Sequence, residues 1–292
     1  MRQLLTGLVD YAGLFPPAAL PMSEAVANYA RYRTSAARPM LARFVVPAAR
    51  LNEFASSATT VRAATDIMPW PLAVLAAASD AETLTAFDAA QAGRFVVDSV
   101  EAKADSSAGI AALAAAYRPQ RAVYVELPVD ADPEPLIRQL AERGLRAKIR
   151  TGGVTPDAFP SPEQVMRFLA ACVRHGVPFK ATAGLHHPLR GEYPLTYAAD
   201  AVRGTMYGYL NIFLAAALLH AGNDPATVLP LLQERDPSAF IATESALMWR
   251  GLTLDAEQIA AAREVFAGSF GSCSFDEPVQ DLDALSLLPF SR

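Results

Sequence analysis

Short apolar runs alternate with helix-like segments along the first 183 residues, and this alternation limits the possible folds more than any other feature. Seven runs have the apolar and β-branched residues typical of buried parallel strands, and a segment with helical periodicity follows each of the first six. The predicted strands are 8–10, 41–46, 72–77, 94–98, 122–127, 147–151 and 178–183. The predicted helices are 23–32, 48–57, 80–90, 107–117, 133–143 and 162–175.

Repeated strand–helix units build a parallel sheet, because a crossover helix must carry the chain back before the next parallel strand begins. A spacing of about 25–30 residues per unit favours a (β/α)8 TIM-type barrel over an open doubly wound sheet. No Gly-x-Gly-x-x-Gly motif follows any predicted strand, so the dinucleotide-binding fold lacks its main signature. We therefore expect an α/β chain that folds as one (β/α)8 barrel.

The rhythm breaks after the seventh predicted strand. The pattern there predicts three helices, over 204–221, 225–235 and 256–266, and leaves only 270–275 for an eighth strand. We expect a helical insertion over about 190–268, either as a cap at the catalytic end of the barrel or as a contact between subunits of a homo-oligomer. No linker rich in Gly, Pro or Ser divides the chain, so residues 1–292 are expected to form a single domain.

Charge and cysteine content exclude several classes of protein. The net charge is −5 and the isoelectric point is about 5.4, so the basic footprint of a nucleic-acid-binding protein is missing. Cys172 and Cys273 lie far apart and outside any zinc-ligand spacing. The first residues reach Asp10 before a signal-peptide core could form, and the longest apolar stretch, 210–221, is too short to cross a bilayer. We expect a cytoplasmic protein with neither nucleic-acid nor membrane partners.

Lysine is scarce in this chain. Of the 25 basic residues only three are lysines, at positions 103, 148 and 180, and the rest are arginines. Biased genome composition contributes to this, yet it also favours a specific role for each lysine that remains. An amine can lose its proton and attack a carbonyl carbon, which a guanidinium does not do.

Two of these lysines are predicted to point into the barrel. Side chains alternate between the faces of a strand, so Lys148 and Arg150 share one face, and Lys180 and Thr182 share a face of the next strand. Near the carboxyl ends of the strands these cations would repel one another, which would lower the lysine pKa values and attract an anionic substrate. The alternative is that each lysine forms an internal ion pair with Glu126 or Asp98.

The two lysine segments carry a resemblance to a known family. Lys148-Ile149-Arg150-Thr151-Gly152 resembles the sixth-strand motif of deoxyribose-phosphate aldolases, and Lys180-Ala181-Thr182-Ala183-Gly184-Leu185 resembles their seventh-strand motif. The resemblance covers about residues 94–190. It implies that Lys148 forms a Schiff base, that Lys180 depresses its pKa and that Asp98 helps with proton transfer. Arg150 departs from the family, which has a small residue there, and so does the long stretch between strands seven and eight.

The sequence thus predicts a class I aldolase-like lyase that acts on a small anionic carbonyl compound through a lysine Schiff base, without a cofactor or a metal. The expected catalytic residues are Lys148, Lys180, Asp98 and Glu126. The expected substrate-binding residues are Arg150, Thr151, Gly152, Thr182, Gly184, His186, His187 and Asp10. The arginine suggests an anionic group close to the reacting carbonyl.

Two other functions are compatible with the same residues. In the first, Lys148, Arg150 and Lys180 only clamp an anion and stabilise an enolate, with or without a divalent metal on Glu126, Asp98 and His186. In the second, the barrel binds a ligand without catalysis.

Overall fold

The computed structural model describes residues 1–62, 68–243 and 245–290 and contains a closed barrel of eight parallel strands with helices between them. The strands of the chain are β1 (Val9–Tyr11), β2 (Leu41–Pro47), β3 (Trp70–Leu75), β4 (Phe95–Lys103), β5 (Ala122–Glu126), β6 (Arg146–Arg150), β7 (Phe179–Thr182), β8 (Gly191–Pro194), β9 (Arg203–Met206), β10 (Phe240–Ala242), β11 (Ala246–Trp249), β12 (Leu252–Asp255) and β13 (Ala267–Ser272). The first seven and β13 form the barrel, which confirms the predicted (β/α)8 class.

The α-helices are α1 (Arg2–Leu5), α2 (Met22–Tyr32), α3 (Leu51–Val61), α4 (Ala81–Ala90), α5 (Ser107–Tyr117), α6 (Glu134–Glu142), α7 (Pro162–His175), α8 (Tyr209–His220), α9 (Pro225–Val228), α10 (Ala256–Val265) and α11 (Asp276–Ala284). Capping residues fix several of these ends. Ser161 and Gln164 form a reciprocal capping box at the start of α7, and Gly176 ends that helix in the left-handed conformation. Within the described ranges, no helix combines the length and apolar character that crossing a membrane requires.

The prediction for the fourth strand was wrong at its carboxyl end. The strand was expected over 94–98, but β4 continues to Lys103. Its pairing with β3 skips one residue, because Leu72 aligns with Val97 and Ala73 aligns with Ser99. Asp98 is therefore the extra residue of a β-bulge, which changes the face that the following residues present. Counting alternate residues from the start of β4 therefore assigns the wrong face to the residues after Asp98.

The segment between the seventh and eighth barrel strands was predicted to be helical, but its described residues also form five short strands. Residues 203–206 form β9, which pairs with β8, and the helix expected from residue 204 begins at Tyr209. Strands β10, β11 and β12 form a second antiparallel sheet. Arg250 and Gly251 join β11 to β12 with positive φ angles of 43° and 86°, as a two-residue hairpin turn of this type requires. The residues on either side of this turn pair as antiparallel strands, so this part of the insertion forms a hairpin and not a helix.

The eighth barrel strand also lies earlier than predicted. It was expected over 270–275, whereas β13 spans Ala267–Ser272 and closes the barrel between β1 and β7. Aromatic side chains fill the layer between this strand and α8, where the Tyr209 and Phe270 rings stack with centroids 5.2 Å apart. This layer packs β13 against α8.

Candidate active site

A cavity of about 570 Å³ lies at the end of the barrel where the parallel strands finish. Lys103, Glu126, Arg150 and Thr182 line it, and each is the last residue of its strand. Catalytic groups of (β/α)8 barrels occupy this end, because the loops that follow the strands meet there. The cavity is therefore the candidate active site of this chain.

Lys148 reaches the cavity from β6. Its neighbours Ala147 and Ile149 are completely buried on the opposite face of the strand, as the alternation predicted. The Lys148 Nζ atom lies 2.7 Å from Glu101 Oε2 and 3.0 Å from Glu126 Oε2. Both carboxylates also line the cavity. This places a primary amine beside two groups that can take its proton.

Lys180 lies deeper in the barrel than Lys148 and is 1% exposed. The two lysines are paired residues on the adjacent strands β6 and β7. Lys180 Nζ lies 2.5 Å from Glu101 Oε1 and 2.5 Å from Asp10 Oδ2. Glu101 therefore bridges the two ammonium groups, with one carboxylate oxygen on each.

Ion pairs continue in both directions from this centre. Toward the amino ends of the strands, Asp10 contacts Arg43 at 3.4 Å, and Arg43 binds Asp98. Toward the cavity, Glu126 contacts Arg150 at 3.1 Å and Lys103 at 3.5 Å. The connected network has five cations and four carboxylates, so it carries one excess positive charge when every member is ionised. The three groups nearest the opening include two cations, which favours an anionic ligand.

The predicted lowering of the lysine pKa values was wrong for Lys180. Burial by itself disfavours its ammonium form, but the carboxylates of Asp10 and Glu101 outweigh that effect and raise the pKa of Lys180. The prediction rested on repulsion between the cations, whereas Asp10 and Glu101, which were not expected as partners of Lys180, lie directly at its ammonium group. Conversely, Lys148 and Lys180 overcome the effect of burial and hold the pKa of Glu101 well below its usual range.

Asp98 and Glu101 occupy different places from those the sequence suggested. Asp98 is bound to Arg43 and contacts neither lysine. Glu101, which was not among the predicted site residues, is the fourth-strand carboxylate at the two lysines. No alternation of buried and exposed residues marks Glu101, because residues 99–102 are all buried after the bulge. The internal ion pair that had been considered for Lys148 with Glu126 is present.

Thr151, Gly152 and Gly184 hold together the loops that follow β6 and β7. The Thr151 hydroxyl donates to the carbonyl of Ala183 at 2.7 Å and joins the loops after β6 and β7. Gly152 and Gly184 approach so closely that a Cβ atom on Gly152 would lie 3.0 Å from the Gly184 Cα atom. Of the four predicted positions in these two motifs, Thr182 and Gly184 line the cavity.

The two adjacent histidines have different surroundings. His186 lines the cavity, and its Nδ1 atom lies 3.1 Å from Glu277 Oε2, on α11. His187 stacks on Tyr193 with a centroid distance of 3.5 Å and binds Asp281 at 2.5 Å. Burial lowers the pKa of His187 despite that carboxylate. Only His186 is thus placed to meet a ligand, with Nε2 left available by the bond at Nδ1.

Glu277 is the centre of a second group of polar side chains that the sequence did not reveal. Tyr197, between β8 and β9, donates its hydroxyl to Glu277 at 2.7 Å and lies 3.6 Å from the sulfur of Cys273. Cys273 lines the cavity, and burial raises the pKa of its thiol. The segment after β7 thus reaches the cavity through His186, which lines it, and through Tyr197, which contacts Cys273 and Glu277.

The residues considered for a divalent metal do not meet. Glu126 is paired with Lys148, Asp98 with Arg43, and His186 with Glu277. Across ranges 1–62, 68–243 and 245–290, no three His, Cys, Asp or Glu side chains are arranged to hold a metal ion.

Comparison of the chain with known protein families, with curated proteins and with solved structures finds no match. The motifs at Lys148 and Lys180 therefore remain a resemblance, and the function is argued from the cavity and its side chains.

Proposed function

We propose that the protein is a class I aldolase-like lyase, in which Lys148 forms an imine with a small anionic carbonyl compound. The observation that carries the proposal is the pair of lysines on β6 and β7. Lys148 lines the cavity and contacts Glu101 Oε2, while Lys180 lies deeper in the barrel and contacts Glu101 Oε1. This division fits one amine that reacts and one cation that adjusts its surroundings.

The proposed reaction begins with the loss of a proton from Lys148 to water, relayed by Glu126 or Glu101, which lie within 3.0 Å of its nitrogen. The free amine adds to the carbonyl carbon, and the resulting carbinolamine loses water to give a protonated imine. Where the substrate carries a hydroxyl on the β-carbon, that hydroxyl loses its proton to a base, the Cα–Cβ bond breaks, and the β-carbon fragment leaves as an aldehyde or ketone while the electron pair forms an enamine. Transfer of a proton from Cα to a base gives the same enamine without C–C cleavage. Protonation of the enamine and hydrolysis of the imine then release the product and restore the lysine.

His186 is the group we propose for the proton transfer at the reacting carbon. The carboxylates at Lys148 are held ionised by their cationic partners, which lower the pKa of Glu126 against the effect of burial. Because they are deprotonated at neutral pH, they have no proton to donate to the reacting carbon. A histidine side chain can both donate and accept a proton near neutral pH, and His186 enters the cavity with Glu277 orienting its ring.

Borohydride reduction tests the imine directly. The protein is incubated with pyruvate or acetaldehyde, reduced with sodium borohydride and digested, and the modified peptide is identified by mass spectrometry. We expect a reduced adduct on Lys148, dependent on the carbonyl compound. An adduct confined to Lys103, which is on the rim and 74% exposed at its side chain, contradicts the proposal.

The anion clamp that stabilises an enolate is the second candidate, because Lys148 forms ion pairs with two carboxylates. Under that mechanism the protein binds pyruvate and exchanges the protons next to its carbonyl for deuterium, but borohydride traps no adduct. Binding without either reaction is the behaviour of a ligand-binding barrel.

His186→Gln is expected to lower kcat by about 10²–10⁴-fold, the usual contribution of a general acid or base. The matched control is His187→Gln, since His187 packs on Tyr193 away from the cavity. Steady-state kinetics on both variants check this prediction. Equal losses in the two variants would show that the histidines only support the loop.

Arg150→Leu is expected to raise KM for an anionic substrate by about tenfold or more, which corresponds to the loss of one charge-assisted hydrogen bond of about 1.5–3 kcal/mol. A neutral carbonyl analogue should be affected little. The comparison is needed because Arg150 also pairs with Glu126. If charged and neutral substrates lose equally, Arg150 acts only through that pair.

A further inference from the structure

The cavity has two chemically different halves. The charged side chains that line it are Glu101, Lys103, Glu126, Lys148 and Arg150, and all belong to β4, β5 and β6. Among the described residues, those that line the half formed by β1, β2, β3 and their loops are all apolar. Its larger members, called here the apolar wall, are Phe15, Pro16, Pro17, Val45 and Leu75.

The apolar wall lies across the barrel from the proposed nucleophile. The strands follow one another around the barrel in the order β1, β2, β3, β4, β5, β6, β7 and β13. Strand β2, which carries Val45, is four strands from β6 in either direction, so it lies opposite Lys148. A ligand bound at Lys148 and Arg150 therefore presents the rest of its structure to the wall.

The volume of the cavity exceeds what a three-carbon acid needs. A cavity of about 570 Å³ is in the range that holds a ligand of drug size. The wall offers no side-chain hydrogen-bond partner to hydroxyl groups, which would lose their water on entering this half. An apolar substituent gains from the same contact, because its surface is removed from water.

Resting on the proposed function, we infer that the substrate is a carbonyl acid with a hydrophobic substituent, and not a polyhydroxylated sugar derivative. Its anionic group lies toward Arg150 and Lys103, its carbonyl carbon at Lys148, and its alkyl or aryl group against the apolar wall. The wall thereby determines specificity, while the imine chemistry is the same for short and long substrates.

The test uses a series of 2-oxo acids, namely pyruvate, 2-oxobutyrate, 2-oxohexanoate and 2-oxooctanoate. The concentration that gives half-maximal borohydride trapping is expected to fall by about three- to fourfold for each added methylene, until the wall is covered. A six-carbon 2-oxo acid with hydroxyl groups along its chain is expected to bind no better than pyruvate. A flat series, or preference for the hydroxylated acid, overturns the inference.

Variants locate the effect on the wall. Leu75→Ser and Val45→Ser are expected to flatten the dependence on chain length while trapping of pyruvate persists. Val96→Ser is the matched control, because Val96 is on β4 but is 41% exposed and does not line the cavity. An unchanged dependence in both wall variants places the substituent elsewhere and overturns the inference.

Calorimetry with carboxylates that lack a carbonyl separates this inference from the proposed function. Butyrate, hexanoate and octanoate cannot form an imine, yet their affinity for the wild-type protein is expected to rise with chain length. Length-dependent binding of these acids, together with no borohydride adduct from any 2-oxo acid, supports the wall and contradicts the imine. An adduct with pyruvate but no dependence on length in either series supports the imine and overturns the wall.

Discussion

Lys148→Arg is expected to abolish imine trapping and to lower turnover by more than about 10³-fold. Arginine keeps the positive charge between Glu101 and Glu126, so the ion pairs and the fold should persist. It does not form an imine at neutral pH, because the guanidinium keeps its proton. Turnover is measured as the exchange of the protons next to the carbonyl for deuterium in the best 2-oxo acid of the series, and circular dichroism checks the fold.

Lys103→Arg is the matched control for this variant. Lys103 also lines the cavity and also contacts Glu126, but its side chain is largely exposed. This substitution should leave trapping intact and change KM only slightly. Should Lys148→Arg keep most of its turnover, the amine acts as a charge and the anion clamp becomes the better account of the site.

Lys180→Met is expected to lower the free energy of unfolding by about 3–5 kcal/mol at neutral pH. The change leaves the buried carboxylates of Asp10 and Glu101 without the cation that joins them. This cost is a large part of the total stability of an ordinary domain, so the variant should fold but unfold at lower denaturant concentration. Lys180→Arg, which restores the charge, is the control and should recover part of the loss.

The sign of the pH dependence follows from the pKa shifts of these groups. In the folded protein the pKa values of Asp10 and Glu101 are lowered because their cationic neighbours outweigh burial, and their stabilisation is lost as the pH falls through those values. The pKa of Lys180 is raised, so its stabilisation is lost only as the pH rises through the raised value. The network therefore stabilises the fold most between about pH 4.5 and 10.

In Lys180→Met the carboxylates of Asp10 and Glu101, which keep Arg43 and Lys148 as cationic partners, take up protons at higher pH than in the wild type. The stability difference between the two proteins should therefore be largest near neutrality and shrink as the pH is lowered. The pH dependence of the rate should also move to higher pH, since the remaining carboxylates favour the charged form of the reacting amine. A constant stability difference together with an unchanged rate profile would show that Lys180 contributes packing alone.

The sequence by itself determined the barrel and the direction of its two central lysines. Apolar runs that alternate with amphipathic segments are local patterns, and they predict parallel strands joined by helices. Alternation along β6 and β7 predicted that Lys148 and Lys180 share the barrel interior, since side-chain direction in a regular strand depends only on position. The same local logic failed where the strand is irregular, as at the bulge of β4.

Tertiary structure decided which charges meet and what the cavity can hold. Asp10, Glu101 and Lys180 are far apart in sequence, and only barrel closure and strand register bring their side chains together. The pKa of Lys180 rises instead of falling for that reason, because a pKa depends on every neighbouring charge in space. Glu277 at His186 and the apolar wall opposite β6 likewise come from distant segments, whose meeting no local pattern of residues encodes.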